Sequence, residues 1–245
     1  PLNEYPEHRT IKTIRIPKGD RVFHDNGNLV PNPNSAIEYY LQVGELSNAK
    51  LRQSCQLFIQ IFSEAFFDQL RTKEQLGYMV YQQLREKGIT VGIRMAVQSE
   101  RDPIYLEERI DSFLALVVEK LDGMSDADFA KYQQSLISDL TAKKKKLTQE
   151  TKGFWEEIVG CRNDFFKHIV DARGVASLTR QDIISFAQQH VVLGAPERRK
   201  LAVHIWSESK KDQLQSAYAD RTVITDINKF VKECDLLDVS YEMPQ

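Results

Sequence analysis

Arg71 and Tyr78, seven positions apart, are the two side chains best suited to chemistry in this sequence. A guanidinium and a phenol both donate hydrogen bonds, so together they can hold a peptide carbonyl or an oxyanion without a metal. An arginine in that position also has an ordinary structural use, satisfying carbonyls at a helix end. Residue chemistry alone leaves both readings open. A second candidate is the run Lys143, Lys144, Lys145 and Lys146. Read as the end of a helix, the four would sweep roughly 300° and could not share one face. They would either meet the negative end of the helix dipole or, in part, attract acidic peptides and polyphosphates. Metal chemistry lacks a pattern. The five histidines His8, His24, His168, His190 and His204 show neither His-x-x-Glu-His nor His-Glu-x-x-His spacing, so no helix sets two of them about one ion. We therefore expect no metal site in this chain. There is no Gly-x-Ser-x-Gly elbow or Walker loop for nucleophilic or nucleotide chemistry either.

Arg71 and Tyr78 need a rigid corner to face one another. Leu51, Cys55, Phe58, Phe62, Phe66 and Leu70 recur three or four apart and predict a helix with one buried stripe. Ser47 is placed to cap its start. Tyr78 to Leu84 is aromatic and β-branched, as strands are, and Gly77 between the two permits a sharp exit. The prediction is a helix-to-strand junction with Arg71 before it and Tyr78 after it, Thr72 to Leu76 shaping the turn. Upstream, Thr10 to Pro17 and Arg21 to His24 predict a hairpin about Lys18-Gly19-Asp20, and Ala36 to Val43 a third strand after a loop at 26–35. Downstream, Tyr78 to Glu86 and Ile89 to Ser99 predict an antiparallel pair turning near Gly88. A helix from Pro103 to Leu121 follows, ended by Gly123. Ser125 with Asp128 opens another, with Phe129, Tyr132, Leu136 and Leu140 on one stripe. A third holds Phe154, Trp155, Ile158 and Val159, and Thr179 with Asp182 starts a fourth. Leu201, Val203 and Ile205 alternate in a last strand, which puts His204 on its polar side. The expected fold class is α+β, an antiparallel or mixed sheet of about six strands packed against several helices.

The stretch Phe67-Asp68-Gln69-Leu70-Arg71-Thr72-Lys73-Glu74-Gln75-Leu76-Gly77-Tyr78 resembles the C-terminal half of the insulin-degrading-enzyme family, zinc metallopeptidases of the pitrilysin/M16 class. The likeness continues through the Gly88 turn, Val97-Gln98-Ser99-Glu100, Lys145-Lys146-Leu147 and Thr179-Arg180-Gln181-Asp182-Ile183-Ile184, covering most of residues 10–206. The resemblance implies one of four related α+β domains, the fourth, that close into two bowl-shaped halves, with the zinc site in the first. It implies that Arg71 and Tyr78 reach across the chamber to the scissile bond of a peptide substrate, and that zinc belongs to the full-length parent enzyme, with none bound by this part. The N-terminal half of the same polypeptide would be the partner, polyanions further ligands, and the full-length enzyme a homodimer. A noncatalytic core subunit sharing the processing-peptidase fold is the alternative. On this reading residues 1–9 lead in from a preceding domain, 10–206 form the peptidase-like domain, and 207–245 are an extension holding a short helix and a tail.

The 33 basic and 35 acidic residues leave a formal charge of −2 in 245 residues. That balance gives no global attraction to nucleic acid or anionic membrane. No apolar run approaches the ~20 residues of a bilayer span, and the polar N-terminal segment does not read as a secretory signal. Cys55, Cys161 and Cys234 are an odd, dispersed set without a Cys-x-x-Cys pair, which predicts reduced thiols and a cytoplasmic setting. Pro1 in place of an initiator methionine leaves open a processed protein or a piece of a longer chain, and the resemblance favours the second.

Overall fold

The computed structural model describes residues 13–26, 32–160, 162, 164–213 and 218–237. Alternation and periodicity settle into β1 (Thr13–Arg15), β2 (Gly19–Asn26), β3 (Ser35–Glu45), α1 (Ala49–Phe67), β4 (Met79–Lys87), β5 (Thr90–Ser99), α2 (Pro103–Ala115), α3 (Val117–Asp122), α4 (Asp126–Thr141), α5 (Leu147–Val159), α6 (Lys167–Ser177), α7 (Arg180–Phe186), β6 (Arg199–Trp206), α8 (Ile227–Glu233) and β7 (Asp235–Leu237). Five strands form one mixed sheet in the order β2-β6-β3-β5-β4, and β1 pairs with β7 in a second, two-stranded sheet. This is the expected α+β class. β4 and β5 are the expected antiparallel pair, Met79 opposite Gln98 and Lys87 opposite Thr90, turning at Gly88, whose φ of 57° suits a glycine.

The N-terminal hairpin does not form. β2 runs parallel to β6 from Gly19↔Arg199 to Asn26↔Trp206, and β1 pairs antiparallel with β7. Both partners lie far away in sequence, where local turn chemistry carries no information. The same long-range pairing knits the described part of the C-terminal extension to the sheet: besides β7, Val22 N–H donates to Thr222 O at 3.0 Å and Val22 O accepts from Ile224 N–H at 2.8 Å. The predicted loop at 26–35 and Cys161 lie partly or wholly outside the described residues.

α1 crosses the sheet with Cys55, Phe58, Phe62 and Phe66 buried, and Phe66 meets Phe113 of α2 edge-on at 5.3 Å. Its cap is Asn48 rather than Ser47. The helix begins one residue later than the spacing suggested, and the Asn48 carboxamide accepts from Leu51 N–H at 3.1 Å. The predicted 103–121 helix is two, α2 and α3, broken at Leu116. α6 was not foreseen. Its buried Asp171 accepts from the side chain of Arg52 in α1, at 2.6 and 2.9 Å, while Gln56 donates to the same carboxylate at 3.0 Å. That pairing ties two helices together through charges that are almost wholly excluded from water.

His204 corrects the alternation rule. In β6 it is Lys200, Ala202, His204 and Trp206 that are buried, while Leu201, Val203 and Ile205 are only partly covered. The polar side of this strand faces α2 and the C-terminal segment, where every charge has a counterpart. Glu107 of α2 takes Lys200 and Arg221 and stands 3.3 Å from His204 Nε2. Asp20 takes Arg198 at 2.8 Å and Lys200 at 3.1 Å. Tyr218 bridges Trp206 Nε1–H at 2.7 Å and His204 Nδ1 at 2.9 Å. Burial opposes ionisation of Glu107, but the hydrogen bond and charge of His204, with Lys200, outweigh it and hold the carboxyl at about 2. Burial keeps His204 below its ordinary value.

A carboxyl lowered from 4.5 to about 2 contributes stability above pH 4.5 that is lost as the pH falls towards 2. Glu107→Gln should cost about 3–5 kcal/mol near neutral pH, because three cationic or donor groups lose a buried countercharge. It should also flatten the fall in stability between pH 4.5 and 2. Urea unfolding at several pH values measures both; an unchanged acid slope would remove Glu107 from the network's energetics.

Candidate functional site

The corner between α1 and β4 is built by an irregular end to the helix. Asp68–Lys73 winds as a wider π-helical turn, closed by Glu74 N–H to Gln69 O at 3.0 Å and Leu76 N–H to Leu70 O at 3.0 Å. Gln75 takes the left-handed conformation, φ 53°. Leu70 and Leu76 are buried on the core side, so the turn is anchored by apolar contact beneath. From the side, Arg109 of α2 grips Glu74 with two hydrogen bonds at 2.7 and 2.8 Å, and this pairing lowers the Glu74 pKa. Gly77 is required by space rather than by a left-handed backbone: a Cβ there would stand 1.9 Å from the Gln98 carbonyl oxygen of β5.

The result brings Arg71 and Tyr78 together. The Arg71 guanidinium carbon lies 4.7 Å from the centre of the Tyr78 ring and 4.9 Å from that of Phe67, so the planar cation stacks between two aromatic faces. Tyr78 is 86% exposed, and Phe67 and Met79 beside it are open to solvent. Next to them is a cleft of about 510 Å³ bounded by Gln75, Gly77, Tyr78, Ser99 and Arg101. A side chain held by stacking keeps its N–H groups free to donate outwards. The site therefore offers an oriented fork and a phenol at the mouth of an open groove.

Sequence reading missed Phe67 and the Arg109–Glu74 brace. Phe67 was within reach, since it precedes Arg71 by four positions, the spacing of helix neighbours; Arg109 is distant in sequence and gave no signal. Lys143, Lys144, Lys145 and Lys146 are not a helix end. α4 stops at Thr141 because Ala142 leaves helical geometry, with ψ 131°. The four lysines form an exposed connection to α5, and Gln149 accepts from the backbone N–H of Lys145 and Lys146 at 3.1 and 3.3 Å. The argument that they cannot share a face therefore lapses, as does stabilisation within a last helical turn. Among the described residues no three His, Cys, Asp or Glu side chains are grouped to hold a metal ion, and no helix is long and apolar enough to cross a membrane.

Comparison with known proteins bears on the family and the fold. Residues 57–155 match a family described as PQQ synthase PqqF-like, C-terminal lobe domain 4. Insulin-degrading enzyme of Homo sapiens is 34% identical over 194 residues, 79% of this chain and 19% of that protein. A Schizosaccharomyces pombe relative whose name places it with zinc proteases is 31% identical over 235 residues, 95% of this chain and 24% of that protein. Among solved structures, pitrilysin superposes with a TM-score of 0.73 at 23% identity, covering 92% of this chain and 24% of pitrilysin; at that identity the likeness speaks for the fold. The chain spans about a fifth to a quarter of the length of these curated relatives.

Removing one face of the stack should loosen Arg71 without unsettling the domain. Phe67→Leu is expected to cost no more than about 0.5–1 kcal/mol, the worth of an exposed cation–π contact, while the Arg71 Nε–H resonance in NMR becomes more mobile. A loss of several kcal/mol would mean that Phe67 is a core residue rather than one wall of the stack.

Proposed function

We propose, from the premise that this chain is a C-terminal domain of the insulin-degrading-enzyme (M16) peptidase family, that it closes the substrate chamber of a longer metalloendopeptidase and positions peptides there. The observation that carries this reading is the outward-facing Arg71–Tyr78 pair beside an open groove. A peptide backbone offers carbonyl oxygens at a regular spacing. The guanidinium fork can hold two acceptors at once, and the Tyr78 hydroxyl can donate to the carbonyl whose oxygen gains charge as the bond is attacked. Neither group has to give up a proton, so both serve as donors and positioning contacts throughout turnover.

Zinc is proposed for the parent enzyme and not for this domain, whose described residues supply no ligand set. The metal and its attendant base would be held by the N-terminal half of the same polypeptide. Lys143 to Lys146, four exposed charges on one short connection, would attract acidic peptides and other polyanions, an effect that weakens with salt. A cytoplasmic setting is supported by the free buried thiols of Cys55 and Cys234. The proposal extends to a homodimer of the full-length parent enzyme.

Tyr78→Phe isolates the hydroxyl, because the phenyl ring preserves the stack on Arg71. In the full-length enzyme it should lower kcat by more than it raises KM, since the lost donor acts mainly on developing charge. Removing one oxyanion-hole donor costs about 2.7–4 kcal/mol elsewhere, and a remote donor supplementing a metal should fall below that. Arg71→Lys keeps charge without the fork and should recover only part of the activity lost in Arg71→Ala. Unchanged kinetics in Tyr78→Phe, or full activity in Arg71→Lys, would overturn the assigned roles.

A further inference from the structure

α5 is turned the wrong way out for a helix on the surface of a lone domain. Its apolar residues Leu147, Phe154, Trp155 and Ile158 follow helical spacing on one side, yet Trp155 is 62% exposed and Leu147 79%. The one buried residue of the helix is Glu157, held by Arg162 through hydrogen bonds of 2.9 and 3.0 Å. The polar anchor thus faces the body and the apolar stripe faces away. The Phe165 ring meets Phe154 edge-on at 5.8 Å, and the adjoining Phe166 and Ile169 are exposed as well. An exposed apolar patch of this kind marks a contact surface.

We infer that the outer face of α5 is an interdomain surface, covered by another domain of the same polypeptide. Two observations choose this occupant. The relatives continue for roughly four-fifths of their length beyond the part this chain matches, and the matched family is one domain of a lobe. The stripe is also small. Thirteen residues make a helix of about 20 Å, and with a width of about 10 Å its footprint is on the order of 200 Å². A stable dimer of separate molecules needs about 800 Å² from each partner. A tethered neighbour needs far less, because the linkage supplies a high effective concentration. The inference rests on the chain being one domain of a longer protein and is independent of the roles given to Arg71 and Tyr78.

Hydroxyl-radical footprinting of the full-length parent, without peptide, tests it, with labelling of Phe154 and Trp155 read by mass spectrometry over a wide dilution series. Both residues should react at least tenfold more slowly than in the urea-unfolded chain, and the protection should not change with protein concentration. Trp155→Glu should then increase labelling of Phe154 while α5 keeps its hydrogen-exchange protection. Labelling close to the unfolded rate would overturn the inference, and so would protection that disappears on dilution, which would assign the face to a second copy. Neither result depends on the kinetics of Tyr78→Phe.

Discussion

The approach of Gly77 to the Gln98 carbonyl governs where the functional side chains stand. With no Cβ at position 77, the chain leaving α1 can lie directly against β5 and enter the sheet as its edge strand. Tyr78 then emerges at the start of β4, level with the last turn of the preceding helix. The π-helical turn widens that last turn so that Arg71 meets the Tyr78 ring, while Leu70 and Leu76 stay in the core. A side chain at 77 would push the strand away from β5 and separate the pair. The position of an exposed site is thus determined by a backbone contact beneath it.

Buried charge holds the layers that carry this corner. Arg52 and Asp171 fasten α1 to α6, and Glu107, Asp111 and Asp20 fasten α2 and β2 to Lys200 of β6 and to Arg198 just before it. α2 in turn sends Arg109 to Glu74 at the junction. Well-packed apolar residues in place of such pairs are often no less stable, since desolvation offsets much of the attraction. Their value here is directional: each fork and carboxylate admits few geometries, so the register of α2 over the sheet, and with it Arg109, is specified. The site inherits its orientation from that register.

What was legible in the sequence follows from the range of each interaction. The α1 stripe, the β4 and β5 pair, the caps at Ser125 and Thr179 and the Arg71–Tyr78 junction depend on neighbours within a few residues, and local spacing reveals them. β2 beside β6 and β1 beside β7 depend on partners more than 150 residues away, and the hairpin inferred for the N-terminal strands was the local substitute. His204 was misplaced because alternation assumes that polar means solvent-facing, whereas β6 buries its polar side against Glu107 and Tyr218. The lysine run was read as helix because nothing in its composition marks the break at Ala142. Arg109, which braces the site, becomes visible only once α2 is laid over the corner, whereas Phe67 was within reach of local spacing, four positions before Arg71.

The most direct test of the central claim, that this corner touches the substrate, is photocrosslinking in the full-length enzyme. A photoreactive phenylalanine at position 78, in a parent whose zinc has been removed by chelation to halt turnover, should form a covalent adduct with a bound peptide. Mapping by mass spectrometry should place the link within a residue or two of the bond that the active enzyme cleaves. A peptide that binds with normal affinity but yields no adduct at 78, or one linked far from the cleavage point, would contradict the account.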